Sequence, residues 1–96
     1  MVDLRGLPKR IRALLSTLKF RPAPPSSNKK YEAEYQDGTR VRFGDKRYEH
    51  YRDRIGLFSG LDHGDHQRRQ NFRSRFKRFL NGPYKSGGFL SYWLLW

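Results

Sequence analysis

Residues 31–43 read Tyr-Glu-Ala-Glu-Tyr-Gln-Asp-Gly-Thr-Arg-Val-Arg-Phe. Apolar and charged residues alternate on both sides of Asp37-Gly38, the strand period interrupted by a turn signal. A two-residue turn at Asp37-Gly38 would pair Tyr35 with Arg40 and Glu34 with Val41, mixing the faces. A three-residue loop, Gln36-Asp37-Gly38, with Gly38 left-handed in a bulge, pairs Ala33 with Val41 and Tyr31 with Phe43. It also sets Glu34 opposite Arg40 and Glu32 opposite Arg42. Apolar then meets apolar and opposite charges meet, so this register is expected. A lone hairpin is barely stable, and its aromatic face needs a cover.

Downstream, residues 45–80 read as mainly helical with a break. Asp45 suits the cap of a short helix containing Tyr48, Tyr51 and Arg52, and Gly56, Ser59, Gly60 and Gly64 interrupt it. Asp62 or Asp65 caps the next helix, which is expected to reach about Leu80. Phe72, Phe76, Phe79 and Leu80 share a stripe, a core pattern before it is a stacking platform. Arg69 falls near that stripe, four residues after Asp65, where an Asp65–Arg69 pair would seat the guanidinium at a core edge. Asn81-Gly82-Pro83 ends the helix. Phe-Leu-Ser-Tyr-Trp-Leu-Leu-Trp, residues 89–96, must dock on the hairpin and phenylalanine helix or on a neighbour, because left in water it would aggregate.

Upstream, residues 21–29 hold three prolines and read as an extended linker. Residues 1–20 read as an amphipathic basic helix, with Ile11, Leu14, Leu15 and Leu18 at helical spacing beside Lys9, Arg10 and Arg12. It suits an anionic membrane, a partner's groove, a cleaved targeting segment or this chain's own core. The expected organisation is therefore a helical arm (1–20), a linker (21–29) and a compact α+β module (30–96), a hairpin packed by helices.

The chain has 96 residues, 21 Lys and Arg against 9 Asp and Glu, a net charge of +12 and no cysteine. A chain this size is marginal alone. Lacking cysteine, it has no disulfide framework and no thiolate metal site. No apolar run approaches the roughly 20 residues of a membrane-spanning helix. The charge favours an anionic partner: nucleic acid, an acidic membrane surface or an acidic protein shell. Asp62-His63-Gly64-Asp65-His66 is the best hint of a metal site, but Gly64 spoils a rigid helical arrangement and no third ligand is placed by spacing. No phosphate loop or nucleophile elbow is present, so neither catalysis nor a cofactor is expected. Arg68, Arg69, Arg73, Arg75, Lys77 and Arg78, interleaved with aromatics, suit phosphates and bases, without any signature of sequence reading.

The blocks Phe43-Gly44, Tyr48-Glu49-His50-Tyr51, His63-Gly64-Asp65-His66-Gln67-Arg68, Phe72-Arg73-Ser74-Arg75-Phe76 and Gly88-Phe89-Leu90-Ser91-Tyr92 with Leu94-Leu95-Trp96 follow in this order. Together they resemble a small uncharacterised family encoded by large double-stranded DNA viruses of eukaryotes, including algal and amoebal giant viruses. The resemblance covers about residues 30–96. His50, Phe72 and Phe76 depart from it, standing where that family has Asp, Tyr and His, and 54–61 looks like an insertion. It implies a viral setting rather than a mechanism.

The expectation is thus a non-enzymatic minor structural protein of the virion, bridging capsid proteins or tying the shell to an inner membrane. Nucleic-acid binding, in genome packaging or a ribonucleoprotein, is the alternative. Ile11, Leu14, Leu15, Leu18, Trp93 and Trp96 are the expected partner anchors. Lys9, Arg10, Arg12, Arg73, Arg75, Lys77 and Arg78 are expected to meet the anionic surface. Gly38, Asp65, Arg69, Phe72 and Phe76 are expected to hold the structure.

Overall fold

The computed structural model describes residues 2–96. The elements run α1 (Lys9–Leu15), β1 (Lys19–Pro22), β2 (Lys29–Glu34), β3 (Arg40–Asp45), a 3-10 turn (Ser59–Leu61), α2 (His66–Arg75), a second 3-10 turn (Lys77–Phe79) and α3 (Gly87–Leu94). This is a small α+β fold.

β2 and β3 pair antiparallel with Tyr31 opposite Phe43, Glu32 opposite Arg42, Ala33 opposite Val41 and Glu34 opposite Arg40. That is the register expected from charge and face matching. Gly38 carries the left-handed backbone of the loop at φ +88°, which a Cβ disfavours. One sheet face gathers Phe20, Tyr31, Ala33 and Phe43; Tyr31 and Phe43 rings lie 5.6 Å apart. The other carries a charge ladder: Arg21 reaches Glu32 and Glu34 at 2.8 and 3.0 Å, and Arg42 reaches Glu32 at 3.2 Å.

Three expectations need correction. First, the linker does not begin at Arg21. Residues 19–22 form β1, pairing Phe20 with Ala33 and Pro22 with Tyr31. Lys-Phe-Arg-Pro keeps the strand alternation, and an edge strand is where a sheet tolerates proline. Second, residues 1–20 are no detachable arm. Ile11 and Leu15 are sealed at 0% and 1% exposure, and Leu7 and Leu18 are also buried. They join Tyr31, Phe43 and the buried face of α3 in one core. Burying side chains of this size contributes about 1.5–3 kcal/mol each, which a 96-residue chain needs. The prolines leave a short excursion, 23–28, between two neighbouring strands.

Third, residues 46–58 after Asp45 form no helix. The Asp45 carboxylate instead accepts the Arg47 N–H in a tight turn, and these residues run irregularly. Their polar groups are satisfied by a buried hub rather than by helical bonds. Asp53 accepts from the Tyr31 hydroxyl and from the N–H groups of Ile55 and Phe58. Asp62 Oδ1 accepts from the Asp53 N–H at 2.8 Å and lies 2.6 Å from His50 Nε2. Lys30 Nζ donates to the Tyr48 carbonyl at 2.9 Å and lies 2.7 Å from His50 Nδ1. The N–H groups of Arg52 and Arg54 cap the carbonyls of Leu95 and Leu94 at the end of α3.

His50 is fully buried between an ammonium and a carboxylate. Its arrangement needs Nδ1 as acceptor and Nε2–H as donor, the neutral tautomer. Burial, and then the Lys30 charge, hold its pKa below the ordinary 6.5, against the pull of Asp62 and Asp53. His63 is lowered too, by burial and then Arg68. A histidine whose folded pKa is depressed supports the fold above its unfolded pKa and withdraws that support as pH falls towards the folded value. Urea unfolding is therefore expected to show lower stability at about pH 5 than at about pH 7. Equal or greater stability at the lower pH would contradict the neutral-histidine hub.

Candidate nucleic-acid interface

Every one of the nine carboxylates has a partner among the described residues. Asp3, Glu32, Glu34, Asp37, Asp45 and Glu49 take arginines or lysines. Asp53 and Asp62 serve the hub. Asp65 caps α2 through the N–H groups of Gln67 and Arg68, as expected for an N-cap. The acidic groups are thus committed, and the remaining cations lack a neutralising partner.

Lys19 and Lys29 are exposed members of that set on the sheet, and six others fall in two groups. Lys9, Arg10 and Arg12 lie exposed on α1; Arg75, Lys77 and Arg78 lie exposed at the end of α2 and in the turn after it. Arg10 Nη2 donates to Asn81 Oδ1 at 2.7 Å, which fastens α1 beside the segment that follows the turn. That bond links α1 to the chain just beyond the second basic cluster, which lies some sixty residues away in sequence. The Arg75 guanidinium stands 4.9 Å over Phe76, and that of Arg78 stands 4.7 Å over Phe79. Arginines stacked in this way cover apolar surface with their stems.

Arg73 does not belong to this set. Its Nε donates to the Trp96 carbonyl at 3.1 Å and its guanidinium lies 4.7 Å over Tyr92. It ties α2 to the C-terminal segment, and burial lowers its pKa. Arg69 acts alongside it, donating to the same carbonyl at 2.8 Å and stacking on Tyr51 at 4.7 Å. The expected Asp65–Arg69 pair is absent because Asp65 is spent on the cap.

The expected partner anchors also turn inward. Ile11, Leu15, Leu18 and Trp93 are buried in this chain's own core, and Leu14 and Trp96 pack half-buried against it. The Trp93 Nε1–H finds the Leu80 carbonyl at 3.1 Å. The 89–96 stretch covers the hairpin, with α3 lying along β3. Ser86 caps its first turn, accepting from the Phe89 N–H.

Sequence reasoning did not foresee a groove of about 520 Å³ between β3, α3 and the α2 aromatics. Phe72, Phe76 and Phe79 are half-buried, so the expected core stripe is also a groove wall. Phe72 stacks on Trp96 at 4.3 Å and 5°. Gly88 marks the close approach: a Cβ there would stand 2.6 Å from the Phe79 ring. The paired glycines Gly87-Gly88 were the one signal in the sequence. His63, Asp65 and His66 do not converge. His50 and Asp62 are held by the hub, and the Asp65 N–H binds His63 Nδ1 at 2.9 Å.

Residues 18–76 match the model of a family of unknown function, DUF5754. The chain belongs to that family. The match takes in the three-stranded sheet, the hub and α2, and it leaves α1 and α3 outside. Neither the curated proteins nor the solved structures contain a match to the chain.

Proposed function

We propose that this protein is a non-enzymatic module that binds nucleic acid, with phosphates meeting the face shared by α1 and the end of α2. One observation carries the reading: all nine carboxylates are committed, yet Lys9, Arg12, Arg75, Lys77 and Arg78 are exposed with no carboxylate partner among the described residues, and the Arg10–Asn81 bond ties α1 to the chain just past the second group. Concentrated, unpaired positive charge stores repulsion that a polyanion relieves. A labelled single-stranded oligonucleotide titrated with the full chain is expected to give saturable binding by fluorescence anisotropy. Absence of binding at low salt would contradict the reading.

The second reading is a minor structural protein of a large DNA virus particle, the setting the resemblance implies. It rested in part on a detachable arm and on an apolar tail open to a neighbour, and both are folded into the core. What still favours it is the same basic face, which would also suit an acidic shell or membrane. Stripping particles at rising salt separates the two: retention in the shell at high salt supports the capsid role, and departure with the genome supports the first reading.

A further inference from the structure

We propose that the groove beside α2 receives an unpaired base of a single-stranded nucleic acid, an inference that rests on the nucleic-acid reading above. Three observations meet there. The wall is aromatic: Phe72, Phe76 and Phe79 line it with Trp96. Its volume of about 520 Å³ is that of a small-molecule site, ample for one nucleotide. Arg75 stands exposed on its rim without an acidic partner among the described residues, and Lys29 is exposed there opposite Asp45, whose carboxylate Arg47 holds; both are placed for the phosphate that follows the base.

A fourth observation is polar. The bond from the Tyr35 N–H to the Thr39 carbonyl, 2.8 Å, makes Tyr35–Thr39 a hydrogen-bonded pair. Alternation along an antiparallel ladder then turns the Arg42 N–H and C=O away from β2, along the free edge of β3. Its carbonyl oxygen lies 3.2 Å from where a Gly87 Cβ would stand, which places it on the α3 side, where the groove opens. An apolar groove with one donor and one acceptor at its side suits a base, which offers a stacking face and a hydrogen-bonding edge. A purely aliphatic occupant would leave that peptide group unpaired. Charge decides between a base and an apolar peptide: Lys29, Lys30, Arg42 and Arg75 line the groove against Asp45 and Glu49, which Arg47 and Arg68 hold, so its excess is positive and favours an anion beside the ring.

The test uses the full chain and two strands of equal length, an oligothymidylate and its abasic counterpart. Stacking is expected to make the base-bearing strand bind roughly tenfold tighter or more. It is also expected to quench tryptophan fluorescence, through Trp96 at the groove, and to shift the Arg42 amide resonance. Phe76→Ala, checked for folding by circular dichroism, should lower the affinity for the base-bearing strand to the abasic level. Phe76→Tyr should restore it. Equal affinity for both strands overturns the groove proposal and leaves the phosphate reading standing. Failure of both strands to bind overturns the two together. A bound strand that leaves Arg42 and Trp96 undisturbed also overturns it and returns the groove to an extended protein segment.

Discussion

Ile11→Ala is expected to lower the unfolding free energy of the whole chain by about 2–5 kcal/mol. Ile11 is fully buried among Leu7, Leu15 and the sheet-facing aromatics. Removing its outer carbons forfeits their transfer free energy and leaves a cavity that a core fixed by α3 cannot refill. Domains of this size are stable by only some 5–15 kcal/mol, so the loss is a large fraction of the total. The control is Arg12→Ala, one residue on and exposed, expected to change stability by about 0.5 kcal/mol or less. Urea unfolding followed at the tryptophans decides the matter, because Trp93 lies in the same core. If residues 1–20 were a separate arm, Ile11→Ala would leave that transition where it was.

The second large effect concerns binding. Replacing Arg75, Lys77 and Arg78 together by glutamine is expected to weaken single-strand binding by roughly 10–100-fold at low salt, taking ~0.5–1 kcal/mol for each exposed charge contact. All three are exposed and none has a carboxylate partner among the described residues, so the fold should survive. The loss should be much the same for every sequence, since phosphate contacts carry no base information. The salt dependence should flatten in step. A variant that binds like the parent would remove this face from the account.

The hairpin was legible because two independent patterns agreed on one register. Tyr31 and Phe43, Ala33 and Val41 matched in polarity, and Glu32 and Glu34 faced Arg42 and Arg40 in charge. The Asp65 cap was legible for a similar reason, being a local motif whose chemistry lies within three residues. What could not be read was long-range. Arg73 looks like every other arginine of α2 until the Trp96 carbonyl and the Tyr92 ring arrive beside it. The amphipathic pattern of residues 1–20 states that a face will be buried, and it is silent on whose core takes it. Residues 46–58 read as helical because the Asp45 cap and the aromatic spacing are helix-compatible. Asp53 and Asp62 accept those backbone N–H groups instead, which is a tertiary outcome. The basic face itself was half legible: the residues were singled out, while their gathering depends on Arg10 reaching Asn81.

If unneutralised cations on α1 and the end of α2 hold nucleic acid by its phosphates, affinity must depend steeply on salt. The direct measurement is the affinity of the full chain for a single-stranded oligonucleotide across a range of salt concentrations. With five such cations engaged, log K is expected to fall against log salt with a slope of roughly −3.5. A shallow or absent slope, with binding intact, would contradict the claim and assign the affinity to apolar contacts instead.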